Sequence, residues 1–592
     1  MNQSIATTLK EHAVNFSDQI AILAPGRSAL SYERLWLQIV YVINSLNAMG
    51  LGRNDRVAII LPDSPEMAVA FVAVATAATA APLNPAYLES ELEFYLSDLS
   101  AKAVIVPSGG SVRARATAQV CGIPVIELSF DAKADAGVFA LSGKPAPSPA
   151  RSGFAQDEDI ALVLHTSGTT SRPKIVALTQ RNLCSSALNH RATLAITHQD
   201  RCLNMMPLFH IHALVSVVLT SLMSRASVVC TQGFDAATFF DCLEEFKPTW
   251  FTAAPALYQS LLAYLSSTRR PTARHSLRFL RSAAAPLHPK VLQELERQFK
   301  VPLVESYGMT EAAGQITSNR LPPRERKAGS VGIASGPETA IMDENGKLLP
   351  PGTTGEIVIR GANVIAGYEN NPAANGSSFT HGWFRTGDQG FMDGDGYLFI
   401  SGRLKEIINR GGEKISPREV DQVLLEHPGI AEVATFAVPH VGLGEDIVAA
   451  VVLRRNDSSS AREIRDFAAA RLSQQKVPSQ ILIVDQIPKS PTGKLQRNCL
   501  AEALEAKLKP AFTPPRNDLE SALADILMDV LNVEQVGIHD NFFALGGDSL
   551  SATRIVIRIN AALGMKVPLS LLFDCPTIAE MAKFICATQG VI

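Results

Sequence analysis

The sequence predicts a large α/β body, a smaller α+β domain behind it and an all-α bundle of the four-helix type at the end. Three changes of texture along the 592 residues carry that prediction. Up to about residue 400, short apolar strand-like runs alternate with helical stretches, the pattern of a sheet layered with helices. From about residue 350 the strands shorten and are punctuated by glycine, as in GTTGEIVIRG and DGYLFISGR. Beyond the proline-rich connector KPAFTPPRN (509–517), only amphipathic helical patterns remain. The predicted domains are 1–402, 403–508 and 518–592, with 509–517 as a linker.

In the first domain, DRVAIIL (55–61) reads as a buried strand closed by Pro62, with a helix over 65–80. The most hydrophobic run, residues 67–83, is rich in small side chains and stops at a proline. A membrane span asks for about 18 or more apolar residues, so this run is predicted to be a buried helix. Residues 101–107 and 123–128 repeat the strand signature, 143–153 form a loop, and 159–164 a further strand. In the second domain, 431–438 and 447–454 read as sheet strands, and 461–473 has helical spacing. In the third, 518–531 and 550–563 are amphipathic helices and a short helix follows Cys575-Pro576-Thr577. About 75 residues suffice for an independent domain.

Lys+Arg total 54 and Asp+Glu 57, with 46 % apolar residues and 19 % charged. That balance gives no electrostatic footprint for nucleic acid. The eight cysteines form no CxxC pair, which favours neither a zinc site nor a disulfide framework and fits reduced cytosolic thiols. The start, MNQSIATTLKEHA, lacks a basic stretch followed by an apolar one. The expected location is the cytoplasm, with no membrane partner.

LHTSGTTSRPK (164–174) follows an apolar strand. Phosphates need backbone N–H groups, hydroxyl donors and a cation at close range, and glycine lets the backbone approach. Thr166, Ser167, Gly168, Thr169 and Thr170 supply the donors and Lys174 the charge. This is not the Walker pattern, because no lysine follows a second glycine; a polar surface turn would share the composition. The stretch does not stand alone. PLFHIHAL (207–214), ESYGMTE (305–311), WFRTGD (383–388), GRLKEIINRGGEKISPREV (402–420) and PKSPTGKLQR (488–497) follow it in order.

The ordered set resembles the AMP-forming adenylating superfamily, which includes acyl-CoA synthetases, firefly luciferase and the adenylation domains of peptide synthetases. The resemblance covers residues 1 to about 508. NFFALGGDSL (541–550) with its flanking helices resembles a phosphopantetheine carrier domain. The first resemblance implies an enzyme that uses ATP and Mg²⁺ to turn a carboxylic acid into an acyl-adenylate and passes the acyl group to a thiol.

By the same resemblance, residues 166–174 grip the β- and γ-phosphates, and Tyr307 stacks on adenine near Ser282 and Ala283. Thr310 donates to the α-phosphate and Glu311 binds Mg²⁺. Asp388 and Arg403 hold the ribose. Lys494 bridges the acid carboxylate and the ribose as a fixed positive charge. Lys405 is the hinge about which the second domain rotates, and Gly411 and Gly412 line the route of the incoming thiol. His210 and His212 form an H-x-H pair expected on one face of a strand. His210 is read as a gate or orienting residue, and His212 with Ala213 as a wall of the acid pocket. Ser549, after Gly-Gly-Asp, is the expected attachment point of phosphopantetheine. As a serine at a helix start it would otherwise be an ordinary N-cap.

A histidine stands where peptide-synthetase domains for α-amino acids usually carry Asp, so an amino acid is disfavoured: a buried ammonium needs a partner. The motifs look most like the oxalate–CoA ligase type, which points to a small, polar or dicarboxylic acid and leaves aryl and fatty acids open. Two positions depart from the family pattern, which usually has glycine at Ile175 and often at Ala213. The expected function is a loading module for a natural-product pathway. It would need a phosphopantetheinyl transferase and downstream enzymes on separate chains. The alternatives are a metabolic ligase using free CoA, and an inactive scaffold that presents its carrier.

Overall fold

A computed structural model describes residues 4–166, 173–268, 275–440, 443–489, 495–508, 512–543, 545, 547, 549–564, 566–568 and 571–589. The chain divides into two compact units, Met1–Ile400 and Ser401–Ile592. The division falls inside the strand Leu398–Arg403, two residues before the predicted boundary.

The first unit is built on two large sheets. One has seven strands in the order Ala140–Ser142, Val125–Ser129, Ala103–Pro107, Arg56–Ile59, Thr79–Pro82, Ile160–Thr166, Lys174–Thr179. Its five central strands run parallel. The nine-stranded sheet has a parallel centre: Ile20–Leu23, Ser227–Cys230, Arg201–Asn204, Trp250–Ala253, Phe279–Ser282 and Leu303–Met309. Parallel strands require crossovers, and helices supply them. Both faces are then covered, so successive positions of these strands are buried rather than alternating. Trp250 and Phe251 are both fully buried, which shows this directly.

The prediction for residues 67–83 needs correction. The helix is Pro65–Ala75, capped by the Ser64 hydroxyl accepting from Met67 N–H. It ends at Thr76, whose hydroxyl donates back to the Ala73 carbonyl. The chain then re-enters the sheet as Thr79–Pro82, between Arg56–Ile59 and Ile160–Thr166. The whole run is buried, so helix and central strand share one hydropathy signature and periodicity does not separate them.

A third sheet contains Glu338–Met342, Gly355–Arg360 and Trp383–Met392, paired antiparallel. The second unit carries a small sheet in which Gly444–Leu453 pairs with Ile430–His440 and Gln480–Ile483, flanked by the helices Pro417–Leu424 and Ala461–Ala469. It also holds the helices Asp518–Leu531, Ser549–Leu563, Leu571–Asp574 and Ile578–Gln589, which enclose a separate core that includes Leu527, Phe542, Ile555, Ile559 and Met581. Among the described residues no helix is long and apolar enough to cross a membrane.

Candidate active site

Thr166, Ser282 and Tyr307 lie at or near the carboxyl ends of strands with parallel neighbours, where open α/β sheets bind ligands, whereas Asp388 comes from the antiparallel third sheet. Thr166 closes the strand Ile160–Thr166 and pairs with Lys174 across a hairpin. The expected phosphate-gripping residues Ser167, Gly168, Thr169 and Thr170 lie outside the described residues. The Lys174 ammonium sits over the Tyr368 ring, 4.2 Å from its centroid, a cation–π contact.

ESYGMTE forms the end of the strand Leu303–Met309 and a short 3₁₀ turn, Thr310–Ala312. The chain then reverses into the antiparallel strand Gly314–Ser318. The reversal depends on glycine twice. A Cβ on Gly308 would run into the Gly314 carbonyl oxygen, and Gly314 itself has φ +120°. This turn sets Thr310 and Glu311 at its tip. Glu311 is 6 % exposed and accepts from the Tyr368 hydroxyl at 2.8 Å. Its backbone oxygen takes the Ile365 N–H, and Asn363 donates to the Ala312 carbonyl. The segment 363–368 therefore braces the turn from outside.

Tyr307 donates its hydroxyl to Asp388 Oδ2 at 2.6 Å. Asp388 is buried on the strand Trp383–Met392, directly after Gly387, which has φ +73°. Glu356 accepts the Gly387 N–H at 2.9 Å and Arg385 Nε at 2.6 Å, which holds that bend. Thus the structure joins the two residues expected at adenine and ribose. Ser282 ends the strand Phe279–Ser282, beside Leu303–Met309, and pairs with Glu305; Ala283 follows it, and both are buried.

The H-x-H pair is not on a strand. The strand Arg201–Asn204 ends before it, His210 lies in a bend, and His212 opens the π-helix His212–Leu219. A π-helix inserts an extra residue per turn and often marks a functional site. His212 Nε2 is 2.7 Å from Thr252 Oγ1 and 3.3 Å from Arg281 Nη1. Burial, followed by the Arg281 charge, holds the imidazole well below its usual range, so it is neutral at pH 7. Ala213 beside it is fully buried.

In the second unit, Arg403 ends a strand and Lys405 lies exposed in the 3₁₀ turn Leu404–Glu406. Gly411 and Gly412 form the two-residue turn between Ile408–Arg410 and Glu413–Ile415, with φ +60° and +93°. Two successive positive φ values are what a tight hairpin needs, and glycine adopts them without strain. Lys494 lies outside the described residues. On either side of residues 490–494, Lys489 and Leu495 form an antiparallel bridge. Arg497 then reaches Asp421 Oδ2 at 2.5 Å, the Thr435 carbonyl at 2.7 Å and Glu406 at 3.4 Å. Ser549 is the first residue of the helix Ser549–Leu563.

Family models place these segments. The AMP-binding enzyme model matches residues 9–369. The chain belongs to the AMP-binding enzyme family. The C-terminal domain model of AMP-binding enzymes matches 419–494, and a phosphopantetheine attachment site matches 521–585. This AMP-binding enzyme is therefore an AMP-forming acid–thiol ligase fused to a carrier domain. It is 42 % identical to a probable CoA ligase of Humulus lupulus, over 87 % of this chain and 99 % of that one. It is 40 % identical to the oxalate–CoA ligase of Saccharomyces cerevisiae, over 76 % and 87 %. Among solved structures, ATP-bound MatB from Rhodopseudomonas palustris superposes with TM-score 0.76 at 29 % identity, covering 86 % of this chain and all of that one. o-Succinylbenzoate CoA synthetase from Bacillus subtilis, with ATP and magnesium, gives 0.72 at 28 % identity, covering 84 % and 100 %.

Tyr368, Asn363 and Arg281 are the site residues that sequence reading missed. Tyr368 sits in a polar turn segment, GYENNP, and nothing local points to a carboxylate 57 positions upstream.

Proposed function

We propose that this chain activates a small carboxylic acid as its acyl-adenylate and loads the acyl group onto its own carrier domain at Ser549. The observation that carries the proposal is the presence of an adenylating enzyme and a phosphopantetheine attachment domain on one polypeptide.

In the first half-reaction a carboxylate oxygen attacks the α-phosphorus of ATP and pyrophosphate leaves. Two anions meet, so neutralising charge is the main catalytic task. Residues 166–174 hold the β- and γ-phosphates, with the ammonium of Lys174. Tyr307 stacks on adenine beside Ser282 and Ala283; Asp388 and Arg403 take the ribose hydroxyls. Thr310 donates to the α-phosphate, and Lys494 bridges acid and ribose. Glu311 fits Mg²⁺: a buried carboxylate steadied by Tyr368 suits a hard cation that shares its remaining coordination with phosphates and water. Mg²⁺ there would neutralise the phosphate oxygens. His210 orients the acid and His212 with Ala213 walls its pocket.

In the second half-reaction a thiol sulfur attacks the acyl carbon and AMP leaves. The second domain (403–508) turns about Lys405, withdraws Lys494 and presents Gly411 and Gly412. Hinges of this kind are a few residues that absorb large dihedral changes. A phosphopantetheine group on Ser549 would supply the thiol. Ser549 at a helix start suits that phosphodiester, because backbone N–H groups and the helix dipole favour an anion there. The connector 509–517 raises the local concentration of the arm.

The relatives named CoA ligases favour a second reading, in which free CoA is the acceptor. Acyl transfer to the carrier after treatment with a phosphopantetheinyl transferase, followed by mass spectrometry of the intact chain, separates the two. Loading expects an acyl adduct that disappears in Ser549→Ala. An unmodified carrier with rapid acyl-CoA formation overturns it. Lys494→Ala is expected to abolish ATP–pyrophosphate exchange while leaving transfer from supplied acyl-adenylate largely intact.

A further inference from the structure

Arg281 lies at the end of the strand Phe279–Ser282, one residue before the segment assigned to the nucleotide. Its side chain is buried, with the residue 3 % exposed. Its neighbours are all neutral: His212 Nε2 at 3.3 Å and Thr252 Oγ1 at 3.2 Å from Nη1, and Gln315 Oε1 at 3.5 Å from Nη2. Nε has no hydrogen-bond partner. Burial lowers the guanidinium to about 10, so it still carries its charge at neutral pH. Among the described residues it forms no ion pair with a carboxylate. Even Arg278, an exposed arginine three residues earlier, has Asp200 at 2.8 Å. A buried cation without a counter-ion is costly, and such groups are ordinarily paired.

The tautomer of His212 sharpens the point. Guanidinium groups only donate. His212 Nε2 lies 3.3 Å from Arg281 Nη1 and 2.7 Å from Thr252 Oγ1, and the arrangement in which it accepts from both places the ring proton on Nδ1. That Nδ1 is buried and has no partner. In that tautomer two adjacent side chains each hold a buried N–H donor with nothing to receive it, beside one uncompensated positive charge.

We propose that Arg281 and His212 receive a second anionic group of the acid, so that the chain selects short dicarboxylic acids over monocarboxylic acids of the same length. The inference rests on His212 and Ala213 lining the acid pocket, as assigned above. A dianion would satisfy both donors and supply the missing counter-charge; a methyl group in its place would leave all three uncompensated. Sites built around buried polar groups reject analogues that lack the matching group far more strongly than apolar pockets do.

The test is ATP–pyrophosphate exchange by the full chain with oxalate, malonate and succinate against acetate, propionate and butyrate, with sulfoacetate as a sulfonate arm. The wild type is expected to favour each diacid over its monoacid partner by ~10²-fold or more in kcat/KM. Arg281→Met should collapse that ratio through KM for the diacid, with KM for ATP held and Arg281→Lys recovering part of the preference. Equal losses for both acid classes, or a raised KM for ATP, would make Arg281 a structural residue and overturn the proposal. Should Arg281→Met not fold, the wild-type ratio and His212→Phe decide it. A wild type that prefers monocarboxylic, aryl or fatty acids overturns the dicarboxylate assignment and leaves the adenylation reading standing. No exchange with any acid overturns the adenylation reading itself.

Discussion

At Tyr368 one side chain touches two residues assigned to phosphate chemistry. Its hydroxyl donates to Glu311, and its ring lies under the Lys174 ammonium. The lysine was legible from the polar, glycine-bearing stretch around it, and the glutamate through the family resemblance of its motif. Tyr368 was not, since a tyrosine in a loop carries no mark of the partner that the fold will bring to it. Groups that orient a metal-binding carboxylate typically change metal affinity about 10–100-fold when removed. Tyr368→Phe keeps the ring and deletes the donor. A Mg²⁺ titration of pyrophosphate exchange should shift to about 10-fold higher Mg²⁺; a curve that superposes on the wild type would remove Tyr368 from the site.

Among the elements, glycine-punctuated strands were read best and buried segments least well. The glycine-punctuated runs GTTGEIVIRG and DGYLFISGR form the strands Gly355–Arg360 and Leu398–Arg403, whereas the Gly411-Gly412 hairpin and the reversal in YGMTEAAG, read only as motif members, emerged as turns from the structure. The run 67–83 was read as one helix and is a helix followed by a central strand, because total burial erases the periodicity that separates the two. His212 was expected on a strand and opens a π-helix instead. In the helical bundle, Gly547 packs where a Cβ would collide with the ring of Phe542, which is fully buried and has nowhere to swing. Overpacking of this kind costs about 1–3 kcal/mol. Gly547→Ala should lower the denaturation midpoint of the bundle and slow its phosphopantetheinylation, while pyrophosphate exchange by the first unit continues. A bundle transition that does not move would show that the contact relaxes without penalty.

For the molecule as a whole, buried neutral histidines tie stability to pH. His190 donates Nδ1–H to the Ser186 carbonyl at 2.8 Å and is fully buried. Burial, with a further contribution from the Arg281 charge, lowers it from 6.5 to about 3. The unfolded chain therefore takes the proton first as pH falls. Its contribution to stability is whole above pH 6.5 and declines towards pH 3, by about 2 kcal/mol at pH 5. Denaturant titrations at pH 7 and pH 5 should show that loss in the wild type and a smaller one in His190→Gln. Equal losses would mean that the ring is protonated in the folded state.

The division of labour follows from the range of the forces involved. The sequence by itself determined the three textures, the order of the motifs and the glycine-punctuated strands, because strand period, helix period and backbone sterics act over a few residues. Only the tertiary structure decided that Tyr307 meets Asp388 across 81 positions and that Arg281 meets His212 across 69. Those pairings depend on which strands lie side by side in the nine-stranded sheet and on how the neighbouring layers close over it. Burial then removes water as the alternative partner, and which polar groups are left to find one another, or a ligand, is settled only there.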